Sequence, residues 1–141
     1  TMLTLNKLGA VFGKLPYVHA LTDVTGFGLL GHLTEVCEGS GLSATIEFSK
    51  VPRFQFLEKY IQQNSMPGGT LRNWDSYGDR ISGITDFQRA ILADPQTSGG
   101  LLVAVDPSRV ADFEKVLTEQ GSVAQPFGYL GEEQDFAIRV A

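Results

Sequence analysis

Two short stretches combine residue types that can do chemistry: Thr22-Asp23-Val24-Thr25-Gly26-Phe27-Gly28 and Asp94-Pro95-Gln96-Thr97-Ser98-Gly99-Gly100. Each sets an acid and hydroxyls beside glycines at the edge of an apolar element. A bare carboxylate repels phosphate unless a cation lies between them. Mg²⁺ takes one or two carboxylates together with phosphate oxygens and water. Glycine lets backbone come close to a ligand, and N–H groups at a helix start favour anions. The combination suits a metal-bound phosphate. A helical pattern follows the first stretch directly and aims a helix N-terminus at whatever sits there. The competing reading is structural. Asp23 or Thr25 would cap that helix, and residues 94–100 would form a tight turn, opened by Asp-Pro and closed by Gly-Gly.

Other patterns carry less. Gly26-x-Gly28-x-x-Gly31 matches the dinucleotide fingerprint, and Glu47 follows at the roughly 20-residue spacing expected of a ribose-binding acid. That fold wants a hydrophobic strand running straight into the first glycine. Here residues 22–25 intervene and place an anion where pyrophosphate would approach, so this reading ranks below the metal reading. Pro67-Gly68-Gly69-Thr70-Leu71-Arg72-Asn73 reads either as a flexible flap facing phosphate or as a plain solvent loop. His19 sits near Asp23, and His32 falls on the less apolar side of its helix. Neither has a metal-pair spacing, and both read as structural. Cys37 lies on an apolar helical face and reads as core.

The elements that must position these residues follow from periodicity. Apolar positions 5, 8 and 12 give a helix over residues 2–14, stopped by Pro16. Residues 17–21 read as a strand leading into the first loop. Leu29, Leu30, Leu33, Val36 and Cys37 line one face of a helix over 27–38, ended by Gly39-Ser40-Gly41. Alternation predicts a strand over 44–48. Residues 54–63 read as helix, and 64–83 as the longest irregular segment, a kind that is often functional. A short helix over 87–92 precedes the Asp94 loop. The apolar run 101–105 predicts a strand buried on both faces. Asp106-Pro107 opens a helix with its stripe at Val110, Phe113, Val116 and Leu117. Residues 123–129 and 136–140 read as a terminal hairpin. Alternating strands and helices with antiparallel pairing at the end predict a layered, mixed α/β domain.

Composition narrows the class. At 141 residues the chain is one domain, able to bury a core without disulfides. The single cysteine excludes an internal disulfide framework and a cysteine-cluster zinc site, and fits a reducing compartment. The net charge is −5, and the eleven Lys and Arg are scattered, which argues against a nucleic-acid partner. No apolar run reaches the roughly 18–20 residues needed to span a bilayer, and no signal-peptide pattern opens the chain. A cytoplasmic protein with no membrane partner is expected. The chain opens in an apolar, uncapped stretch (Met2, Leu3, Leu5) and closes in a strand-like run, so residues 1–141 are expected to be one domain of a longer protein.

At the three motifs the chain resembles the C-terminal domain of the selenophosphate synthetase (selenide, water dikinase) family. Residues 22–32 resemble one family signature and residues 94–102 another. Pro67-Gly68-Gly69-Thr70 followed by Arg72-Asn73 resembles a third. The likeness is strong over about residues 15–105, and three motifs in order are specific where a lone glycine pattern is not. The resemblance implies an α-β-α layered domain with a mixed sheet, like the C-terminal domain of aminoimidazole ribonucleotide synthetase. It implies an enzyme making selenophosphate from selenide, ATP and water, with release of AMP and phosphate. In that family the aspartate at the position of Asp23 helps bind Mg²⁺ at the ATP phosphates. Thr22, Thr25, Gly26, Asn73, Asp94, Thr97 and Ser98 are then candidate nucleotide contacts. The N-terminal domain is the implied partner, holding most of the Mg²⁺ and ATP site and the homodimer contact.

The family's catalytic Cys or selenocysteine, its partner Lys and its other metal-binding aspartates have no counterpart in this chain, and Cys37 is not their equivalent. No catalytic residue is therefore expected here, and the isolated chain is expected to be inactive. Two alternatives stand beside this reading. One is a stand-alone interaction module that kept the fold and lost the chemistry. The other is a domain of a related ATP-dependent synthetase, such as a thiamine-monophosphate kinase or a hydrogenase-maturation protein.

Overall fold

The structure, a computed structural model, describes residues 5–63 and 65–141. In chain order the elements are α1 (Gly9–Phe12), β1 (Val18–Asp23), α2 (Gly28–Ser40), β2 (Leu42–Ile46), α3 (Leu57–Gln62), α4 (Gly68–Tyr77), β3 (Ile81–Ser82), α5 (Asp86–Leu92), β4 (Leu101–Val105), α6 (Val110–Glu119), β5 (Gly128–Glu132) and β6 (Ile138–Val140). β1 and β4 form an antiparallel ribbon. The other strands form a mixed sheet in the order β3-β6-β2-β5. The expected mixed α/β class is the observed one.

Two apolar clusters explain the layering. α2 lies against the four-stranded sheet on one side and the ribbon on the other. Its Leu30, Leu33 and Cys37 share the main core with Ala44, Ile46, Ile138, Val140 and Leu102. The opposite face of the ribbon carries Leu21, Leu101, Val103 and Val105, which pack with Phe12, Phe113 and Leu117 of α1 and α6. β4 is thus covered on both faces, as its unbroken apolar run requires.

Several ends follow local chemistry. α2 stops at Gly41, which takes the left-handed conformation (φ 66°) and returns its N–H to the Cys37 carbonyl. α5 opens on a reciprocal capping box between Thr85 and Gln88. Asp106 accepts from the Ser108 N–H at 2.8 Å and opens a short 3-10 turn, Pro107–Arg109, that runs into α6.

Other expectations need correction. Among the described residues the first helix covers only Gly9–Phe12, and residues 2–4 of the expected span lie outside them. β1 runs on to Asp23, because Thr22 and Asp23 pair with Leu102 and Leu101. β2 ends at Ile46, where Phe48–Lys50 form a 3-10 turn. α3 is shorter than the expected 54–63 and has no side-chain cap to extend it.

The segment 64–83 is not irregular. Its first residue lies outside the described ones, but Gly68–Tyr77 form helix α4, a 3-10 turn follows, and β3 closes it. The terminal hairpin does not form. β5 and β6 take opposite edges of β2, antiparallel and parallel respectively. Buried Ser43 on β2 fixes the crossing, donating to the Phe136 carbonyl at 2.7 Å and accepting from the Gln134 N–H at 2.8 Å.

Candidate functional site

The fold brings all three motifs to one place. β1 delivers the Asp23 loop and β4 departs from the Asp94 loop, so pairing of the two strands sets the loops side by side. Backbone bonds then stitch them together. The Val24 N–H donates to the Gly100 carbonyl (2.9 Å), the Gly99 N–H to the Val24 carbonyl (3.1 Å) and the Gln96 N–H to the Thr25 carbonyl (2.9 Å). Gly28 sits at φ 69°, where a Cβ would lie 2.8 Å from the Ala93 carbonyl carbon, so only glycine lets α2 start this close.

α4 pins the pair from a third side. Asn73, only 8% exposed, donates from Nδ2 to the Gly26 carbonyl and to the Ala93 carbonyl, each at 2.9 Å. Thr70, 1% exposed, donates to Asp94 Oδ1 at 3.0 Å. The Tyr77 hydroxyl donates to the Phe27 carbonyl at 2.8 Å. A Cβ on Gly69 would meet the Pro95 ring at 2.6 Å. The Pro67-to-Asn73 stretch is therefore the first turns of a docked helix, with Pro67 as its N-cap, and not a flap or a solvent loop.

The two acids differ. Asp94 is half-buried and both its oxygens are engaged, by Thr70 and by Gln96 Nε2 at 3.2 Å. Burial raises its pKa above the ordinary aspartate value, opposed in part by those two bonds. Asp23 is exposed, and among the described residues its carboxylate has no hydrogen-bond or ion-pair partner. Neither Asp23 nor Thr25 caps α2. The N-cap is Phe27, with no side-chain cap bond. The structural alternative for Asp23 thus loses its specific form.

The remaining candidates divide by position. Thr22 lies opposite buried Leu102 on β1, so strand alternation turns it to the main core and away from Asp23. Gly26 is exposed, Thr97 is exposed at the loop tip, and Ser98 is half-buried beside it. Thr25 is half-buried, and its Oγ1 lies 3.1 Å from His32 Nε2. His32 is itself 8% exposed, contrary to its expected place on the less apolar side, and its Nδ1 lies 3.1 Å from Glu35 Oε2. The bonds of Thr70 and Tyr77 to the loops and the His32–Glu35 contact were not expected from the sequence. The i, i+3 spacing of His32 and Glu35 was the available signal. His19 is exposed, with Nε2 3.7 Å from Asp106 Oδ2 and, among the described residues, no hydrogen bond or ion pair with the loops. Cys37 is core, and burial raises its thiol pKa.

The donor set bears on a metal. Asp23 offers a free hard oxygen, suited to Mg²⁺. No three His, Cys, Asp or Glu side chains cluster as a metal site among the described residues. The chain therefore fits one ligand of such a site and does not fit a complete one. A surface groove of about 680 Å³ lies elsewhere, lined by Lys50, Arg53, Phe54, Phe87 and Val123, and none of its residues belongs to the three motifs. No described helix is long and apolar enough to cross a membrane.

Comparison with known proteins agrees with the motifs. The family described as "AIR synthase related protein, C-terminal domain" matches residues 1–141. The chain is 54% identical over 139 residues to the selenide, water dikinase of Pseudomonas aeruginosa, covering 99% of this chain and 40% of that protein. It is 52% identical over 130 residues to the selenide, water dikinase of Yersinia pseudotuberculosis, covering 92% and 37%. It is 52% identical over 139 residues to that of Bordetella bronchiseptica, covering 99% and 40%. The chain thus spans about two fifths of the length of these curated relatives. With a match along its whole length, the chain belongs to the AIR synthase related protein family, as a C-terminal domain of that family.

Proposed function

We propose that this chain is the C-terminal domain of a selenide, water dikinase and that it supplies Asp23 to a composite Mg²⁺–ATP site. The carrying observation is the free Asp23 carboxylate at the end of a strand whose following loop is bonded on three sides. Its charge is held in place and left unspent. When bound, Mg²⁺ neutralises charge on the phosphates of the nucleotide. Asp23 would hold that ion from one side, and the exposed loop edge at Gly26 and Thr97 would face the nucleotide. Asn73, Thr70 and Asp94 would act indirectly, by keeping the two loops in register. The N-terminal domain would supply the remaining carboxylates, the selenide chemistry and the homodimer contact, and the full-length protein would work in the cytoplasm on selenide, ATP and water.

Two measurements test this. Asp23→Asn in the full-length protein should cut selenide-dependent AMP production and leave thermal unfolding unchanged. Normal turnover with lost stability would refute the ligand role. The purified 141-residue chain should make no AMP from ATP and selenide, because one carboxylate cannot hold metal and triphosphate.

A further inference from the structure

The outward edge of the Asp23 loop carries an inference that deepens the Mg²⁺–ATP reading and rests on it. We propose that the peptide N–H groups of Gly26 and Phe27 bind a phosphate oxygen of the nucleotide, and that residue 26 is glycine so that this oxygen can reach them. The Thr25 carbonyl accepts from the Gln96 N–H (2.9 Å) and the Gly28 N–H (3.1 Å). The Gly26 carbonyl accepts from Asn73 Nδ2 (2.9 Å), and the Phe27 carbonyl from the Tyr77 hydroxyl (2.8 Å). Three successive carbonyls thus turn toward donors within the domain. In a planar trans peptide the N–H points opposite to the carbonyl of the same unit, and no peptide here is cis. The Gly26 N–H therefore points away from Gln96, and the Phe27 N–H away from Asn73. Among the described residues neither N–H meets an acceptor, and both residues are exposed.

Nothing inside the domain requires glycine at position 26. Gly28 is fixed by its φ of 69° and by the Ala93 carbonyl carbon, 2.8 Å from where a Cβ would lie. Gly26 has no left-handed φ, and beyond its chain neighbours a Cβ there would meet no heavy atom within 4 Å. A side chain would fit the fold and would fill the open space beside the two N–H groups. Glycine leaves that space to a ligand that must come close to backbone. Openness alone marks no site. Gly39, near the end of α2, is equally open and lies outside all three motifs. Gly26 differs in its two unspent N–H groups and in the Asp23 carboxylate earlier in the same loop. Two donors select an oxyanion, to which such bonds are charge-assisted. Phosphate is the oxyanion that a nucleotide-bound Mg²⁺ accompanies.

The test uses the full-length protein and two probes, each with Mg²⁺: a non-hydrolysable ATP analogue, and tripolyphosphate, which lacks base and ribose. Titration calorimetry should show Gly26→Val binding both about tenfold more weakly, the loss of one hydrogen bond to a charged group. Gly26→Ala should weaken both by less. Its unfolding midpoint should hold or rise, because alanine narrows the unfolded ensemble and meets nothing in the fold. Gly39→Ala should share that stability effect and keep full affinity. Unchanged affinity for both probes in Gly26→Val, with loss in Asp23→Asn, refutes this inference alone. Weaker binding of the analogue with unchanged tripolyphosphate puts base or ribose at Gly26 and overturns it. Lost turnover with both affinities intact makes the loop a contact with the N-terminal domain and overturns it equally. Unchanged affinity in Asp23→Asn refutes the Mg²⁺–ATP reading itself.

Discussion

Asp23 and Asp94 occupy similar loops, yet their surroundings are opposite. Each follows an apolar element and precedes a glycine pair, and the two loops are bonded to each other through backbone. Asp94 is half-buried and its oxygens are taken by Thr70 and Gln96. Asp23 is exposed and unpartnered among the described residues. A carboxylate whose lone pairs are spent on internal donors organises the chain. One whose lone pairs stay free can act on a ligand. Residue type and spacing are alike in the two loops, so only the distribution of donors tells them apart.

Substitution should separate the two roles most sharply at Asp23. Asp23→Asn in the full-length protein is expected to lower turnover by about 10²–10³-fold, the range for removing one preorganised charge-stabilising group. Its unfolding midpoint should stay at the wild-type value, since no internal bond is lost. Asp94→Ala should do the reverse. It strips the acceptor from Thr70, which has no solvent to turn to, at about 1–3 kcal/mol of stability. Denaturant unfolding reads that loss directly. A stability loss in Asp23→Asn that matched Asp94→Ala would erase the distinction.

A smaller effect lies in pH. Burial holds the Asp94 proton on above the ordinary aspartate value of about 3.9. Between that value and the raised one, the folded chain binds more protons at this site than the unfolded chain. The stability it contributes is therefore complete at the acid end and is lost as pH rises through the folded pKa. Asp106 has the opposite sign. Its bonds to the Ser108 side chain and backbone lower its pKa, so its contribution is lost on acidification. Comparison with Asp94→Asn isolates the Asp94 contribution. Wild type should gain on this variant as pH falls through the window, and a flat difference would count against a desolvated carboxyl.

The same contrast explains what the sequence made legible. The β4 strand, the Asp106 cap and the Gly41 stop are each set by neighbouring residues, and each stands where local pattern places it. α4 was missed because its buried residues, Thr70, Asn73 and Tyr77, have helical spacing but polar atoms. Hydrophobic periodicity cannot register them, and a Gly-Gly first turn has poor helix propensity. What holds α4 is tertiary: three side chains donating to partners in the two loops. The terminal hairpin was misread for a related reason. β2, some ninety residues earlier, enters between β5 and β6, and nothing local announces a strand from elsewhere. At the site, the neighbours of Asp23 in sequence suggested the ligand role proposed for it. The burial of His32 was not, because the residues that cover it come from the fold.

The smallest expected effect sharpens the comparison at Asp23 itself, which two threonines flank. Thr22 lies across from Leu102 and faces the main core, and its hydroxyl has only a 3.4 Å contact with the Asp23 carbonyl. Thr25 lies past the end of β1, with its Oγ1 3.1 Å from His32 Nε2. Thr22→Val keeps the β-branched shape that a strand favours and gives up that one weak contact. Its stability should stay within about 0.5 kcal/mol of wild type, and turnover of the full-length protein should stay close to wild type. If Thr22→Val instead impaired turnover at unchanged stability, the nucleotide would be reading the core-facing side of β1. Strand alternation would then have failed as the rule that separates ligand residues from packing residues in this loop.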